Sequence, residues 1–334
     1  MRPLNDAELL GELESRVVEN LDRHLAVAQE WFPHEWVPWS RGRDFTGEEG
    51  LPWTAGQSRL PEAIQAAFEV NLLTEDNLPF YHHELATRFG RSGAWGTWIN
   101  RWTAEEARHA MSIRDYLILS RAVDPVALER DRMASMQAGW TAERRGLETG
   151  SLPEDRRTGD MPAARRKDAL HSLVYVTLQE LATRIAHLNT GRLANDPAAD
   201  RLLARIAVDE NLHMVFYRDL IAAALEIAPD QTLGAVVAEV VRFQMPGTGV
   251  PGFNRKSIQI ADAGIYNVRL HRDEVVAPLI RYWRLLQVRP TSDAGLRAQG
   301  ALAHHIEELE HTALRYEQRR ARRRDAASTE SPFR

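Results

Sequence analysis

The chain has 334 residues, no cysteine and a formal net charge of −5. Its length allows one large domain with a sizeable core, and the lack of cysteine excludes disulfides, thiolate metal ligands, iron–sulfur clusters and cysteine nucleophiles. The negative charge leaves no basic footprint for nucleic acid over the whole molecule.

The beginning of the chain is polar and acidic and lacks the apolar core of a signal peptide. No stretch reaches the roughly 20 uncharged residues that span a bilayer, so we expect a cytoplasmic protein without membrane insertion. From residue 5 to residue 323, apolar residues recur every three or four positions among Ala, Leu, Glu and Arg, which predicts an all-α protein. The predicted helices span residues 5–30, 60–89, 94–121, 124–146, 167–193, 198–227, 231–244, 257–286 and 293–323. We predict one domain over residues 1–324 and a disordered tail at 325–334.

Two Glu-x-x-His motifs, Glu106 to His109 and Glu210 to His213, carry the chemistry of the sequence. Residues three apart on a helix share a face, so each motif can direct a carboxylate and an imidazole at one point. Both motifs lie within apolar stripes of their helices, where an uncompensated carboxylate is costly. Each glutamate should therefore be paired, protonated or bound to a cation.

A lone glutamate precedes each motif at nearly the same distance. Glu75 lies 31 residues before Glu106 (106 − 75), and Glu180 lies 30 residues before Glu210 (210 − 180). Packed as a four-helix bundle, the two halves would gather four carboxylates and two imidazoles, as in ferritin-like di-iron and di-manganese proteins. Four negative charges balance two divalent cations, and this donor set suits iron or manganese. We therefore predict a ferritin-like four-helix bundle core with additional helices.

Pro79 stands four residues after Glu75 and cannot donate the hydrogen bond that the Glu75 carbonyl would accept in a regular helix. The helix should kink or loosen there; the alternative is that Pro79 simply ends it.

The remaining histidine pairs favour simpler interpretations. A third motif, Glu308 to His311, has no lone glutamate at the repeat spacing and hydrophilic neighbours, so it predicts solvated helix surface. The adjacent His82 and His83 suggest local packing.

Four segments in order, LTEDNLP (73–79), WTAEEARH (102–109), LQELAT (178–183) and VDENLH (208–213), resemble the soluble acyl-ACP desaturases of plants and actinobacteria. The resemblance runs from about residue 60 to residue 250. It implies a homodimeric helical-bundle enzyme that uses a di-iron centre, O2 and reduced ferredoxin to introduce a cis double bond into a saturated acyl-ACP.

Carried over by motif, the resemblance implies six metal ligands: Glu75, Glu106, His109, Glu180, Glu210 and His213. It also implies that Thr183 lies beside the oxygen site and that Asp209 and Trp36 lie on an electron route. The chain departs from the plant pattern at Asp76, where that pattern has Glu, and at Leu181, where it has Arg. Because the region past residue 250 matches poorly, the acyl chain length and the bond oxidised stay open.

The same candidate ligands are compatible with other functions. One is a di-iron oxygenase that hydroxylates or N-oxygenates a carrier-bound intermediate, and another is a non-enzymatic ferritin-like metal binder. A ribonucleotide reductase small subunit would need a radical tyrosine near the metals and usually an Asp as first ligand. Two basic runs, Arg165 to Lys167 and Arg319 to Arg324, are candidate docks for the acidic carrier protein, or else solvated surface.

Overall fold

The computed structural model describes residues 2–138, 168–244, 247 and 250–329, and within them the regular elements are all helical. The α-helices are α1 (Asp6–Val27), α2 (Pro33–Trp36), α3 (Glu62–Glu75), α4 (Leu78–Phe89), α5 (Gly93–Leu119), α6 (Pro125–Ala138), α7 (Ala169–Leu193), α8 (Pro197–Ile227), α9 (Pro229–Arg242), α10 (Phe253–Ala263), α11 (Val268–Leu270), α12 (Ala277–Tyr282) and α13 (Asp293–Thr329). Among the helices so described, none combines the length and the apolarity needed to cross a bilayer.

Helices α3, α5, α7 and α8 form the central bundle, and α1 packs across α5 and α8. Two apolar clusters occupy the bundle. In one of them Trp98 stacks on Phe216 with ring centroids 3.5 Å apart, and in the other Phe68 stacks on Tyr116 at 5.2 Å. On both α5 and α8, the Glu-x-x-His motif lies between residues that belong to the first cluster and residues that belong to the second. The bundle therefore holds the polar motifs in its interior.

The helix predicted over residues 60–89 is interrupted between α3 and α4. Helix α3 ends at Glu75, and α4 begins at Leu78. Pro79 has no amide hydrogen for the Glu75 carbonyl, so the regular ladder cannot continue across this point. The prediction of an unbroken helix is wrong here, whereas the loosening expected near Pro79 is found.

The helix predicted over residues 257–286 is also interrupted. Gly264 adopts a left-handed conformation (φ 83°) and ends α10, and the side chain of Asn267 then caps α11. From α11 the chain continues through a π-helical turn, His271–Val276, into α12. The prediction of one unbroken helix is wrong, because Gly264 ends α10 and Asn267 caps the start of α11.

Helix α13 continues to Thr329 and so includes the first residues of the tail predicted at 325–334. No glycine or proline precedes Pro332 in this stretch, so nothing in the backbone chemistry ends the helix earlier. Residues 330–334, the Arg165 to Lys167 run and the part of the helix predicted over 124–146 that follows residue 138 lie outside the described residues.

Candidate metal centre

The structure brings all six predicted ligands together in the bundle core. They form two overlapping groups, within each of which one ligand atom per residue lies within 4.8 Å of the others. One group contains Glu75, Glu106, His109 and Glu210; the other contains Glu106, Glu180, Glu210 and His213. Because Glu106 and Glu210 belong to both groups, the geometry suits two cations bridged by these two carboxylates.

The Nδ1 atom of each motif histidine faces the carboxylates. His109 Nδ1 lies 3.2 Å from Glu106 Oε2 and 3.3 Å from Glu210 Oε1. His213 Nδ1 lies 2.7 Å from Glu106 Oε1 and 3.5 Å from Glu180 Oε2. All of these side chains are buried.

Four polar atoms of the cluster are shielded from solvent and form no hydrogen bond of regular geometry within the described part of the chain. They are Glu106 Oε1, Glu180 Oε2, Glu210 Oε1 and His213 Nδ1. Their contacts are ion pairs with one another or with His109, such as the 2.7 Å approach of His213 Nδ1 to Glu106 Oε1, so these atoms are placed to serve as ligands of a cation. This donor set, four carboxylates and two imidazoles, fits two divalent iron or manganese ions.

Protons compensate the cluster when cations are absent. Burial raises the pKa of Glu75 to about 7, and burial together with the Glu106 charge raises the pKa of Glu180 well above its usual range. Burial opposes the charged form of His109 and His213, but the surrounding carboxylates outweigh it and raise the pKa of both. These opposed effects come from the burial of four carboxylates beside two imidazoles in one cluster.

A second carboxylate orients each motif histidine from its far side. Asp209 Oδ2 lies 3.3 Å from His109 Nε2, and Glu105 Oε2 lies 2.9 Å from His213 Nε2. Such outer carboxylates fix the ring orientation and tautomer of metal-binding histidines. Glu105 also contacts His24 Nε2 at 3.0 Å and accepts a hydrogen bond from Arg101 Nε at 2.6 Å.

Thr183 lies inside the cluster, three residues after Glu180 on α7. Its hydroxyl lies 3.0 Å from Glu210 Oε2, but also 3.0 Å from the Gln179 carbonyl oxygen and 3.1 Å from the Glu180 carbonyl oxygen. A hydroxyl has one hydrogen to donate. The hydroxyl can therefore donate either to a candidate ligand carboxylate or back to a carbonyl of its own helix.

Trp31, and not Trp36, contacts Asp209. The Trp31 indole Nε1 donates a 2.7 Å hydrogen bond to Asp209 Oδ2, and its ring lies nearly parallel to His109 at 6.4 Å. Trp36 is half-buried and packs edge-on against Trp31, with centroids 6.2 Å apart. The place on an electron route that the resemblance implies for Trp36 stays a prediction.

Three residues of the site were missed from the sequence: Glu105, Trp31 and His187. His187 Nε2 lies 3.1 Å from Glu75 Oε1 and 3.6 Å from Glu210 Oε1. One signal was available, since an acid directly precedes the glutamate of both motifs, Glu105 in one and Asp209 in the other.

The third motif lies at the surface, as predicted, whereas of His82 and His83 only His82 is packed against a neighbour. Glu308 and His311 are exposed and lie on α13, away from the cluster. His82 makes a local 2.8 Å contact with the Thr103 hydroxyl, and His83 is exposed.

Two cavities adjoin the carboxylates. A small one of about 10 Å³ lies among the ligands and is lined also by Trp102, Gln179 and Thr183. A larger one of about 90 Å³ is mainly apolar, with walls from Ala67, Val70, Ala186, Phe253, Ile260 and Ile265. Both are lined by Thr74, Glu75 and Thr183, so an apolar compartment borders the candidate metal site.

A family model described as fatty acid desaturase matches residues 5–333. The chain belongs to the fatty acid desaturase family. The match confirms the resemblance seen in the four motifs, and it extends it through α10 to α13, where the sequence resembled the plant enzymes least.

Relatives within and beyond bacteria agree with this membership. A Mycobacterium tuberculosis protein provisionally named acyl-[acyl-carrier-protein] desaturase DesA1 is 43% identical, over 96% of this chain and 91% of that protein. The chloroplastic stearoyl-[acyl-carrier-protein] 9-desaturase of Gossypium hirsutum is 26% identical, over 99% of this chain and 81% of that protein. Among solved structures, the desaturase DesA2 of Mycobacterium tuberculosis H37Rv matches with a TM-score of 0.65 and 28% identity, covering 87% of this chain and 98% of DesA2. The all-α fold predicted for this desaturase is confirmed.

Proposed function

We propose that this desaturase introduces a cis double bond into a saturated acyl chain carried by an acyl carrier protein, with O2 as oxidant and two electrons from ferredoxin. The observation that carries the proposal is the buried cluster of four carboxylates and two imidazoles that borders an apolar cavity. The names of its relatives, acyl-[acyl-carrier-protein] desaturases, support the choice of substrate.

We propose that two iron ions, replaceable by manganese in binding, are held by Glu75, Glu106, His109, Glu180, Glu210 and His213. With iron bound, the centre supplies the oxidising power by which O2 accepts two hydrogens from neighbouring carbons of the chain. The overall balance is one saturated C–C bond, O2, two electrons and two protons converted to one C=C bond and two waters.

The side chains of the protein position and isolate this chemistry. Trp102 Nε1 donates a 2.9 Å hydrogen bond to Glu180 Oε1 and so holds that carboxylate in place. Asp209 contacts His109 Nε2 and Glu105 contacts His213 Nε2, so each carboxylate orients one imidazole ring. Thr183 can pass a proton between Glu210 and the small cavity, because its hydroxyl reaches both. The apolar walls of the larger cavity exclude water and would align an extended alkyl chain beside Glu75 and Thr183.

The experiment is turnover with defined substrates. Iron-loaded protein is incubated with acyl-ACPs of graded chain length, ferredoxin, ferredoxin reductase and O2, and the acyl products are analysed by mass spectrometry. We expect a product that has lost two hydrogens, with its double bond at one position. A product that has gained an oxygen atom instead would identify a hydroxylase, and no change in any acyl chain would contradict the proposal. The homodimer implied by the resemblance is checked separately by light scattering of the same preparation.

A further inference from the structure

A basic groove lies between α10 and α13, on the other side of α10 from the apolar cavity. Its volume is about 540 Å³, and four arginines line it: Arg315, Arg319, Arg320 and Arg323. Arg315, Arg319 and Arg323 follow one another at intervals of four residues, and Arg320 precedes Arg323 by three. Residues three or four apart on a helix are neighbours on its surface, so the four arginines lie on one side of α13. We call this feature the arginine groove.

The groove carries an excess of positive charge. Asp262 is the one acidic residue among the described residues that line it; its carboxylate pairs with Arg323 at 3.2 Å, and its backbone carbonyl accepts a hydrogen bond from Arg320. Arg315 donates only to the neutral Thr312 hydroxyl, and Arg319 has no ion pair within the described residues. Four cations thus face one anion, in a chain whose formal net charge is −5. A partner with a negatively charged surface would be attracted to this place rather than to the molecule as a whole.

The groove and the apolar cavity meet at α10. Ser257 lines both of them, whereas Phe253 and Ile260 face the cavity, and Ile258 and Ala261 face the groove. A substrate that joins an acidic protein to an alkyl chain could therefore place its charged part on the groove while its chain reaches the cavity past Ser257.

We propose that the arginine groove is the docking surface for the acidic carrier protein that delivers the acyl chain. The inference rests on the proposed function, which makes the acyl-ACP the substrate, and adds where on the enzyme the carrier binds. Ferredoxin, another acidic partner, is less suited to this surface, because Trp36 and Asp209, which the resemblance puts on an electron route, lie on α2 and α8 and not along α10. Guanidinium groups at an interface rim mainly accelerate association, and salt weakens their effect.

The test compares two double charge reversals. Arg315→Glu with Arg319→Glu alters groove arginines that have no ion pair to lose. Arg91→Glu with Arg201→Glu is the matched control, since both of those side chains are exposed, neither lies in the groove or in the Arg319 to Arg324 run, and the net charge changes equally. The affinity of each variant for a fluorescently labelled acyl-ACP is measured by anisotropy at low and at high salt, without turnover. Metal content, thermal unfolding and reduction by ferredoxin are measured on the same samples.

We expect the groove variant to bind the acyl-ACP at least about ten-fold more weakly at low salt, the control to change less than about two-fold, and the difference to vanish at high salt. Equal weakening in both variants would assign the effect to overall charge and overturn the groove. A groove variant that binds the carrier normally but is reduced slowly by ferredoxin would make the groove the ferredoxin dock and overturn the proposal. If wild-type protein desaturates acyl-ACPs and the groove variant binds them normally, only the docking site is wrong. If wild-type protein neither binds nor converts any acyl-ACP, the proposed function fails as well.

Discussion

At the scale of single residues, the acid that contacts each motif histidine comes from the opposite helix. Glu105 on α5 contacts His213 on α8, and Asp209 on α8 contacts His109 on α5. Each motif therefore carries one candidate ligand histidine and one carboxylate that contacts the histidine of the opposite helix. Because each histidine depends on both helices, a change in the packing of α5 against α8 would alter both rings together.

The proposed ligand set predicts that His109→Ala and His213→Ala each lose metal and activity. Removing either imidazole takes one donor from a cation and leaves buried carboxylates poorly compensated, which is strongly destabilising in a core. The measurement is the number of iron ions per chain, by metal analysis, together with desaturation rate. His83→Ala is the control, since His83 is exposed and outside the cluster. Full iron content in either ligand variant would remove that histidine from the site.

Thr183→Val tests whether the hydroxyl takes part in the reaction. We expect metal content and fold to persist, since valine fills nearly the same volume, while O2 and reductant are consumed with less alkene formed. The measurement is the ratio of O2 consumed to double bonds produced, and Thr183→Ser should return this ratio toward that of the wild type. If Thr183→Val keeps the wild-type rate and ratio, the hydroxyl serves only its own helix, through the carbonyls of Gln179 and Glu180.

At the scale of helices, the break at Gly264 sets where α10 ends. Gly264→Ala should lower the free energy of unfolding by about 1 kcal/mol, because a side chain there must adopt left-handed backbone angles. A methyl group at this position would meet nothing nearer than an Arg320 nitrogen at 3.7 Å, so the cost comes from the backbone and not from a clash. Urea unfolding measures it.

Gly234→Ala is the matched control for that substitution. Gly234 lies inside α9 and an added methyl group would contact nothing within 4 Å, so the alanine should raise the free energy of unfolding by about 0.5–1 kcal/mol. Opposite signs for the two glycines are the expected result. A stabilising Gly264→Ala would show that the break does not depend on the left-handed residue.

At the scale of the whole molecule, the core contains the buried cluster that we propose to bind metal, and protons would compete with metal for its ligand atoms. The pKa of Glu75 is raised by burial to about 7, above its unfolded value, and the nearby carboxylates raise the pKa of His109 and His213. For such groups the folded state binds more protons than the unfolded state, so their contribution to stability is lost as pH rises. Metal ligands, in contrast, must be deprotonated to bind.

We therefore expect chelation of the metal to lower the melting temperature, and to lower it more at pH 8 than at pH 6.5. Metal-free protein should lose stability across this interval, while metal-loaded protein should not. Differential scanning calorimetry of both forms at matched ionic strength provides the measurement. Parallel pH dependences for the two forms would mean that the titrating groups are not the ones that hold the metal.

The sequence by itself determined the helical class, the candidate ligands and the family. The helical class and the two Glu-x-x-His motifs follow from patterns within one helix: apolar residues every three or four positions, and Glu and His three apart on one face, as in Glu106 to His109. The lone glutamates follow from their repeat spacing, and the family follows from the resemblance of the four segments to acyl-ACP desaturases. The structure then placed all six candidate ligands in one cluster.

Only the tertiary structure decided which residues surround the ligands and where the substrate space lies. Trp31 and Asp209 are 178 positions apart, and His24 and Glu105 are 81 apart, so no local spacing connects them. The break at Gly264, which separates α10 from α11, could not be read from periodicity either, because apolar residues continue on both sides. Partners that are distant along the chain meet only when helices pack, and it is this packing that puts an apolar cavity on one side of α10 and the arginine groove on the other.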